Sequence, residues 1–394
     1  MSDEWKDHWG TTRGEYVSPR TTLLVYNTRV DMGRELAEYY ATVNNVDEDM
    51  LCGIDCEAEW YILELWRDGL EDLVCKIKTK ILDYLYTNNL LGKVRSILTF
   101  KGFPLWWVRG VGTSLECRGA MDWELRTLCE DGDNNSSDYS TRRPNWYWYY
   151  CHGEGNGSLR PRRFTASWQY NNGCMFLVSR IDGYTAEHCR QLIDSAHAKL
   201  PAGGNAFIDE QGDGSSYDGF LDSLGTTLGE LGLTVSKDTD KMRQSFGGAS
   251  FYAGWYSHYK YSEIRPRFFV PGSVALEVHS ASACSFDTDP FPNGSISDPE
   301  WPVQGQQPSY AAFYIARGVA ATVGATTEPG LLNYTRFDIF GRMLQKGYTV
   351  AEAFFAATRD PWQIITEDHQ DLGCGNMVLL GDPAYRPFPA KCLV

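Results

Sequence analysis

The feature that most constrains this chain is its opening alternation of strand-like and helix-like segments with little between them. Thr22–Arg29 (TLLVYNTR) is an apolar run of strand length with β-branched and aromatic members. Asp31 then caps a segment in which Met32, Leu36, Tyr39, Tyr40 and Val43 recur at helical spacing. Met50–Asp55 (MLCGID) follows as a second short strand. Strand, helix and strand joined this closely make a βαβ unit, and such units build a parallel sheet covered by helices.

The alternation continues. Trp60–Leu91 is an amphipathic stretch that predicts a helix or a helix pair, and Ser96–Phe100 (SILTF) predicts a buried strand. Residues 130–172 are rich in turn formers and predict long loops. Order returns with a strand in Cys174–Gly183, a helix over Thr185–Leu200, a strand in Gly204–Glu210, a helix over Phe220–Leu231 and a strand near Leu233–Val235. Ser250–His258, Gly272–Cys284 and Gly318–Gly324 predict three more strands, followed by helices over Phe337–Gln345 and from Thr349. The expected fold class is α/β, a three-layer sandwich with a mostly parallel sheet. It is organised as a polar arm (1–20), an N-terminal α/β sub-domain (21–182, carrying the loop 130–172) and a second α/β sub-domain (183–394).

Composition narrows the function classes. A hydrophobic fraction of 43% is that of a globular chain with a sizeable core. A formal net charge of −15, with lysines and arginines scattered, repels phosphate backbones and argues against nucleic-acid partners. No run of about 18 apolar residues is present, so no membrane span is expected. The start, Met1-Ser2-Asp3-Glu4-Trp5, lacks the basic and apolar regions of a signal peptide. The expectation is a cytoplasmic protein, or an exported one whose signal peptide is absent from this chain. Neither GxGxxG nor GxxxxGK[ST] follows a strand, so nucleotide binding has no support. The 11 cysteines are odd in number and lack the spacing of a disulfide framework, so most read as small buried hydrophobes. Cys52 and Cys56, in CGIDC, have no second pair or histidine nearby and make a poor zinc signature. No metal or cofactor is expected.

In parallel α/β sheets, functional side chains gather beyond the carboxyl ends of the strands. His258 and Cys284 each stand at such an end, on strands successive in sequence. A free thiol, with a pKa of about 8.5, is mostly protonated at neutral pH, and a nearby imidazole can take its proton so that the thiolate attacks a carbonyl. Small neighbours in Ala283-Cys284-Ser285 leave room for substrate and for backbone N–H groups facing an oxyanion. His279, five residues before Cys284, competes for the role of base. Trp255, Asp287, Asp289 and Glu328 are candidates for substrate contact, the two aspartates for a basic group. Arg180-Ile181-Asp182 reads as a structural ion pair. Carboxylates at Glu328-Pro329 and Gly381-Asp382-Pro383, with the aromatic run Asn145–Tyr150, leave a glycoside hydrolase as a minor alternative.

The ordered succession LLVYN, ILTFKGFP, AMDWEL, LVSRIDG, AFID, AGWYSH, ARGVAATVGATTEP, KGYTVAEA and GDPAYRPF resembles an uncharacterised bacterial family. That family is similar in turn to the gingipain-type cysteine peptidases of the caspase-like clan. The resemblance spans about residues 22–388. It implies two Rossmann-like halves and a peptide or protein substrate. In that clan the catalytic histidine follows one apolar strand and the cysteine follows the next, often after alanine, which assigns those roles here to His258 and Cys284. The clan usually has glycine after the histidine, whereas Tyr259 stands there in this chain. A non-catalytic member that binds peptide or glycan is therefore the second expectation.

Overall fold

The structure is a computed structural model and describes residues 16–56, 62–65, 70–109, 117–128, 145–152, 159–165, 169, 175–198, 200, 203–210, 216–239, 248–255, 269–279, 282–286, 309–327, 331–359 and 375–388. Their centre is a ten-stranded sheet. In chain order its strands are β1 (Thr22–Asn27), β2 (Leu51–Ile54), β4 (Ser96–Phe100), β7 (Leu177–Ile181), β8 (Asn205–Asp209), β9 (Thr234–Asp238), β10 (Ala249–Trp255), β11 (Phe269–Val278), β12 (Ala321–Ala325) and β13 (Met377–Gly381). A separate small sheet holds β3 (Ile62–Leu65), β5 (Trp106–Arg109) and β6 (Cys117–Ala120).

Across the large sheet the order is β2-β1-β4-β7-β13-β12-β11-β10-β8-β9. The first four strands pair in parallel, as do β12, β11, β10, β8 and β9, while β13 lies between the two groups and runs antiparallel to β12. Central strands such as β4, β7, β10, β12 and β13 are buried at every residue, as strands covered on both faces must be.

Helices cover both faces. On one, α1 (Asp31–Asn44), α5 (Ala186–Ser195) and α7 (Tyr310–Ala316) adjoin one another. The other carries α2 (Leu70–Thr87), α3 (Met121–Leu125), α6 (Ser216–Glu230), α8 (Phe337–Gln345) and α9 (Val350–Ala357), with α4 (Trp146–His152) outside α9. Local chemistry sets their ends. Thr185 caps α5 by accepting from His188 N at 3.2 Å. Thr349 and Glu352 form a reciprocal capping box at the start of α9. The Glu352 carboxylate also accepts from Phe164 N at 3.0 Å and Arg163 at 3.2 Å, so the same residue anchors the segment 159–165.

Two expectations are corrected here. The stretch Trp60–Leu91 is not helical throughout: Ile62–Leu65 forms β3, paired with β5, and the helix begins at Leu70. A strand of four residues is too short to show its period inside a longer apolar pattern. Within 130–172, Trp146–His152 is a helix whose Tyr147 and Trp148 are buried, so these rings pack the core instead of forming a sugar-stacking loop. The boundary expected at 182/183 falls at the end of β7, and the sheet continues across it.

Asp382, directly after β13, is fully enclosed and accepts hydrogen bonds from Tyr40 Oη and Ala384 N, both at 2.8 Å. Burial pushes its carboxyl above the usual range, against those two hydrogen bonds. A carboxyl whose folded pKa is raised binds its proton more tightly in the native state. Its contribution to stability is complete below the unfolded value of about 3.9 and is lost as pH rises through the folded one. Asparagine keeps the acceptor without the charge. Asp382→Asn is expected to match or exceed the parent in urea denaturation at pH 7 and to show no gain at pH 4. A clear loss at pH 7 would mean that the carboxylate is charged and compensated in place.

Candidate functional site

β10 and β11 are parallel neighbours in close register, from Phe251 opposite Val274 to Trp255 opposite Val278. The chain therefore leaves the sheet at the same level on both strands. His258 comes three residues after Trp255 in the sequence, and Cys284 six residues after Val278. The two strands, successive in sequence, are thus also neighbours in the sheet. Cys284 lies among the described residues; His258, Asp287, Asp289 and Glu328 lie outside them.

Cys284 is held from two sides. On its amino-terminal side, Ala283 N donates to Ala325 O at 2.8 Å, and Ser282 Oγ accepts from Ala325 N at 3.0 Å, which ties the segment to the end of β12. Ser282 O accepts from Ala311 N at 2.9 Å and from Ser309 Oγ at 3.0 Å, at the start of α7. Tyr334 Oη lies 3.0 Å from Ser282 Oγ and donates to Glu277 O at 2.7 Å, stitching the segment to the end of β11. On the other side, Cys284 O accepts from Trp106 Nε1 at 3.2 Å and Phe286 O from Lys101 Nζ at 3.1 Å.

Lys101 directly follows β4 and Asp182 directly follows β7, so these contacts bring the carboxyl ends of β4 and β7 to the edge where the Cys284 segment lies. Asp382 lies elsewhere: β13 is antiparallel to β12, with Gly381 opposite Ala321, so Asp382 stands at the opposite edge. It is enclosed by Tyr40 and Ala384, and the arrangement does not bring it to Cys284.

The Cys284 thiol is half-buried, and that burial pushes its pKa above the ordinary thiol value. Desolvation therefore favours the neutral thiol in the unliganded protein. Cys284 alkylation by iodoacetamide should still be accelerating at pH 8.5, where a free cysteine is about half ionised. Peptide mapping over a pH series checks this; a plateau reached below pH 7 would show a stabilised thiolate instead.

His279 is the first residue beyond β11 and not within the strand as expected. Its ring packs on Tyr310 with centroids 4.4 Å apart, and it is 7% exposed. Trp255 is 5% exposed and packs on Tyr217 with centroids at 5.5 Å. The indole thus packs at the interface between the sheet and α6.

Sequence reading did not find the carboxyl pair beside these residues. Asp209, Gly254 and Glu277 occupy one register row across β8, β10 and β11. Tyr252 Oη lies 3.2 Å from Asp209 Oδ2 and 3.1 Å from Glu277 Oε2, and Tyr314 Oη donates to Glu277 Oε2 at 2.8 Å. A single Tyr252 hydroxyl proton can serve only one of the two carboxyls. The tyrosine fits because residue 254 is glycine: a Cβ there would stand 2.2 Å from Tyr252 Oη.

The ion pair expected of Arg180 and Asp182 is present at 3.3 Å, within a larger network. Arg180 is fully buried and makes a bidentate contact to Asp122 at 2.9 and 2.7 Å. Burial pulls its pKa down, but Asp122 and Asp182 hold it above the ordinary value. Among the described residues, no group of three or more His, Cys, Asp or Glu is placed to hold a metal, and no helix is long and apolar enough to cross a membrane. Comparison of the chain with protein-family models, curated proteins and solved structures finds no match.

Proposed function

We propose that the protein is an amide hydrolase of the cysteine-peptidase type, with Cys284 as nucleophile and His258 as base. The observation that carries the reading is the parallel pairing of β10 with β11, with Trp255 opposite Val278, from which the chain runs on to His258 and to Cys284. The rigid mounting of Ser282–Phe286 supports it, since a nucleophile needs a fixed approach to its carbonyl.

The imidazole of His258 takes the proton from Cys284 Sγ as sulfur attacks the substrate carbonyl carbon. The tetrahedral intermediate collapses, the C–N bond breaks, and the imidazolium returns the proton to the departing amine. Water then attacks the thioester while His258 removes its proton, and breaking of the C–S bond releases the carboxylic acid and restores the thiol. A thiol raised by burial suits this general-base route, in which the proton leaves only when substrate is bound.

The test is hydrolysis of a mixture of fluorogenic peptidyl amides by the full chain, with and without prior alkylation. Release that alkylation abolishes, with modification mapped to Cys284, supports the reading. Release unaffected by alkylation of Cys284 overturns the Cys284 mechanism, and absence of release across the mixture overturns the hydrolase reading in favour of a non-catalytic peptide- or glycan-binding protein.

A further inference from the structure

The two strand groups of the sheet are joined at the Cys284 segment by a buried ammonium. Lys101 is 7% exposed, and its three N–H donors meet three acceptors: Asp182 Oδ1 at 3.3 Å, Gly183 O at 2.7 Å and Phe286 O at 3.1 Å. The first two lie just beyond β7, and the third is two residues past Cys284. An ammonium this buried must be neutralised to persist. Asp182 does so, and is itself fixed by Arg180 at 3.3 Å and by Gly183 N at 2.8 Å. Arg180 is in turn clamped by Asp122. Two carboxylates and two cations make a neutral, interlocked network, and one arm of it reaches the Cys284 segment. Trp106 Nε1 adds a second tether, directly to Cys284 O. The Phe286 side chain is fully buried and anchors the far end of the segment.

We propose that Lys101 is a positioning residue for Cys284: its ammonium, charge-balanced by the Asp182–Arg180–Asp122 network, fixes the Cys284–Phe286 segment against the end of β4 and so sets where the thiol points. The inference rests on the reading of Cys284 as the reactive thiol, but its readout does not require amide hydrolysis. It divides the placing of the nucleophile between the two strand groups. Ser282 and Ala283 are held by β12 and α7, and residues 284 to 286 by the residues following β4.

The experiment compares the parent, Lys101→Met and Trp106→Phe as full chains. The iodoacetamide rate at Cys284 is measured by peptide mapping across pH 6 to 9, with half-buried Cys75 on α2 as internal reference. Methionine keeps the length and apolar stem of lysine, and Asp182 keeps Arg180 as counter-ion. Loosening the segment should expose the thiol and speed its labelling by about tenfold, the ratio that loss of one charge-assisted hydrogen bond corresponds to. Cys75 should label at its parental rate, and Lys101→Arg should restore part of the parental rate at Cys284. In the peptidyl-amide assay, kcat should fall more than KM rises.

If Lys101→Met folds and Cys284 labels as in the parent at every pH, the proposal is wrong. If Lys101→Met does not fold, Lys101→Gln, which keeps a donor and removes the charge, decides by the same readout, and Trp106→Phe reports on the second tether alone. The two readings fail separately. Faster labelling of Cys284 in a protein that hydrolyses nothing would leave the positioning role standing and remove the peptidase. Undiminished turnover in Lys101→Met, in a protein that Cys284→Ala inactivates, would do the reverse.

Discussion

Cys284→Ala is expected to abolish peptidyl-amide hydrolysis, lowering kcat by about a thousandfold or more, as loss of a covalent nucleophile does in hydrolases that work through one. His258→Gln should fall to a similar floor, and the double variant should be no worse than either single one, because the two groups act as a unit. KM should change little, since neither atom contributes much ground-state binding. The controls follow from the position of Cys284. Its backbone oxygen, and not its side chain, holds Trp106, so alanine leaves that tether in place. The segment also keeps Ala283 N on Ala325 O and the buried Phe286, so far-UV circular dichroism and the urea midpoint should stay near parental. Retained hydrolysis in a folded Cys284→Ala protein would remove the covalent mechanism outright. Additive losses in the double variant would point to two independent roles.

His279 gives a sharper form of the same test. It lies five residues before Cys284, and its ring is engaged with Tyr310 at 4.4 Å. His279→Phe should preserve that packing and leave kcat within a few-fold of parental, whereas a loss equal to that of His258→Gln would transfer the base role to it. The pH profile of kcat/KM separates the cases, because it reports the base of the free enzyme.

Three strands of the second half were readable because each is a largely apolar run close to turn formers, whereas β13 was not read as a strand. Asn205–Asp209, Ala249–Trp255 and Ala321–Ala325 lie within or close to their expected spans. Strand order was accessible only for the βαβ neighbours. The position of β13, inserted between β7 and β12 although it comes last, leaves no mark on the local pattern of MVLLG. α7 (YAAFYIA) was missed because it is apolar all round, and a helix buried on every side carries no amphipathic period. The tethers of Cys284 were invisible for another reason. Lys101 reaches partners 81 and 185 residues away, and Trp106 one 178 residues away. A lysine following a strand looks like a solvated charge until the chain that covers it is in place. The Asp209–Tyr252–Glu277 arrangement is hidden in the same way, since two carboxyls share one hydroxyl only because three strands come into register there.

Arg180→Met is expected to cost about 3–5 kcal/mol of folding stability, the usual penalty for breaking a buried ion pair by removing one partner. Arg180 is 0% exposed and donates twice to Asp122, once to Asp182 and once to Pro104 O. Methionine fills most of the volume but meets none of these acceptors. The damage should be uneven. Asp182 keeps Lys101 and Gly183 N, whereas among the described residues Asp122 retains only the long 3.4 Å contact from Thr99 Oγ1. A second change that removes the stranded charge should therefore recover much of the loss. Asp122→Leu combined with Arg180→Met should be more stable than Arg180→Met alone, because an apolar pair of similar volume can replace a buried ion pair at little net cost. Asp182→Asn combined with Arg180→Met should recover less, since it also takes the counter-charge from Lys101. Urea denaturation at pH 7 of the parent, the three single variants and the two double variants measures this, provided m-values stay constant. If both double variants lose stability additively, the network is a set of independent contacts, and the charge balance argued for Lys101 loses its basis. If the Asp122 pair recovers and the Asp182 pair does not, the branch that continues to Lys101 is the one that steadies the Cys284 segment. Labelling of Cys284 should then be accelerated in the Asp182 double variant and remain near parental in the Asp122 one.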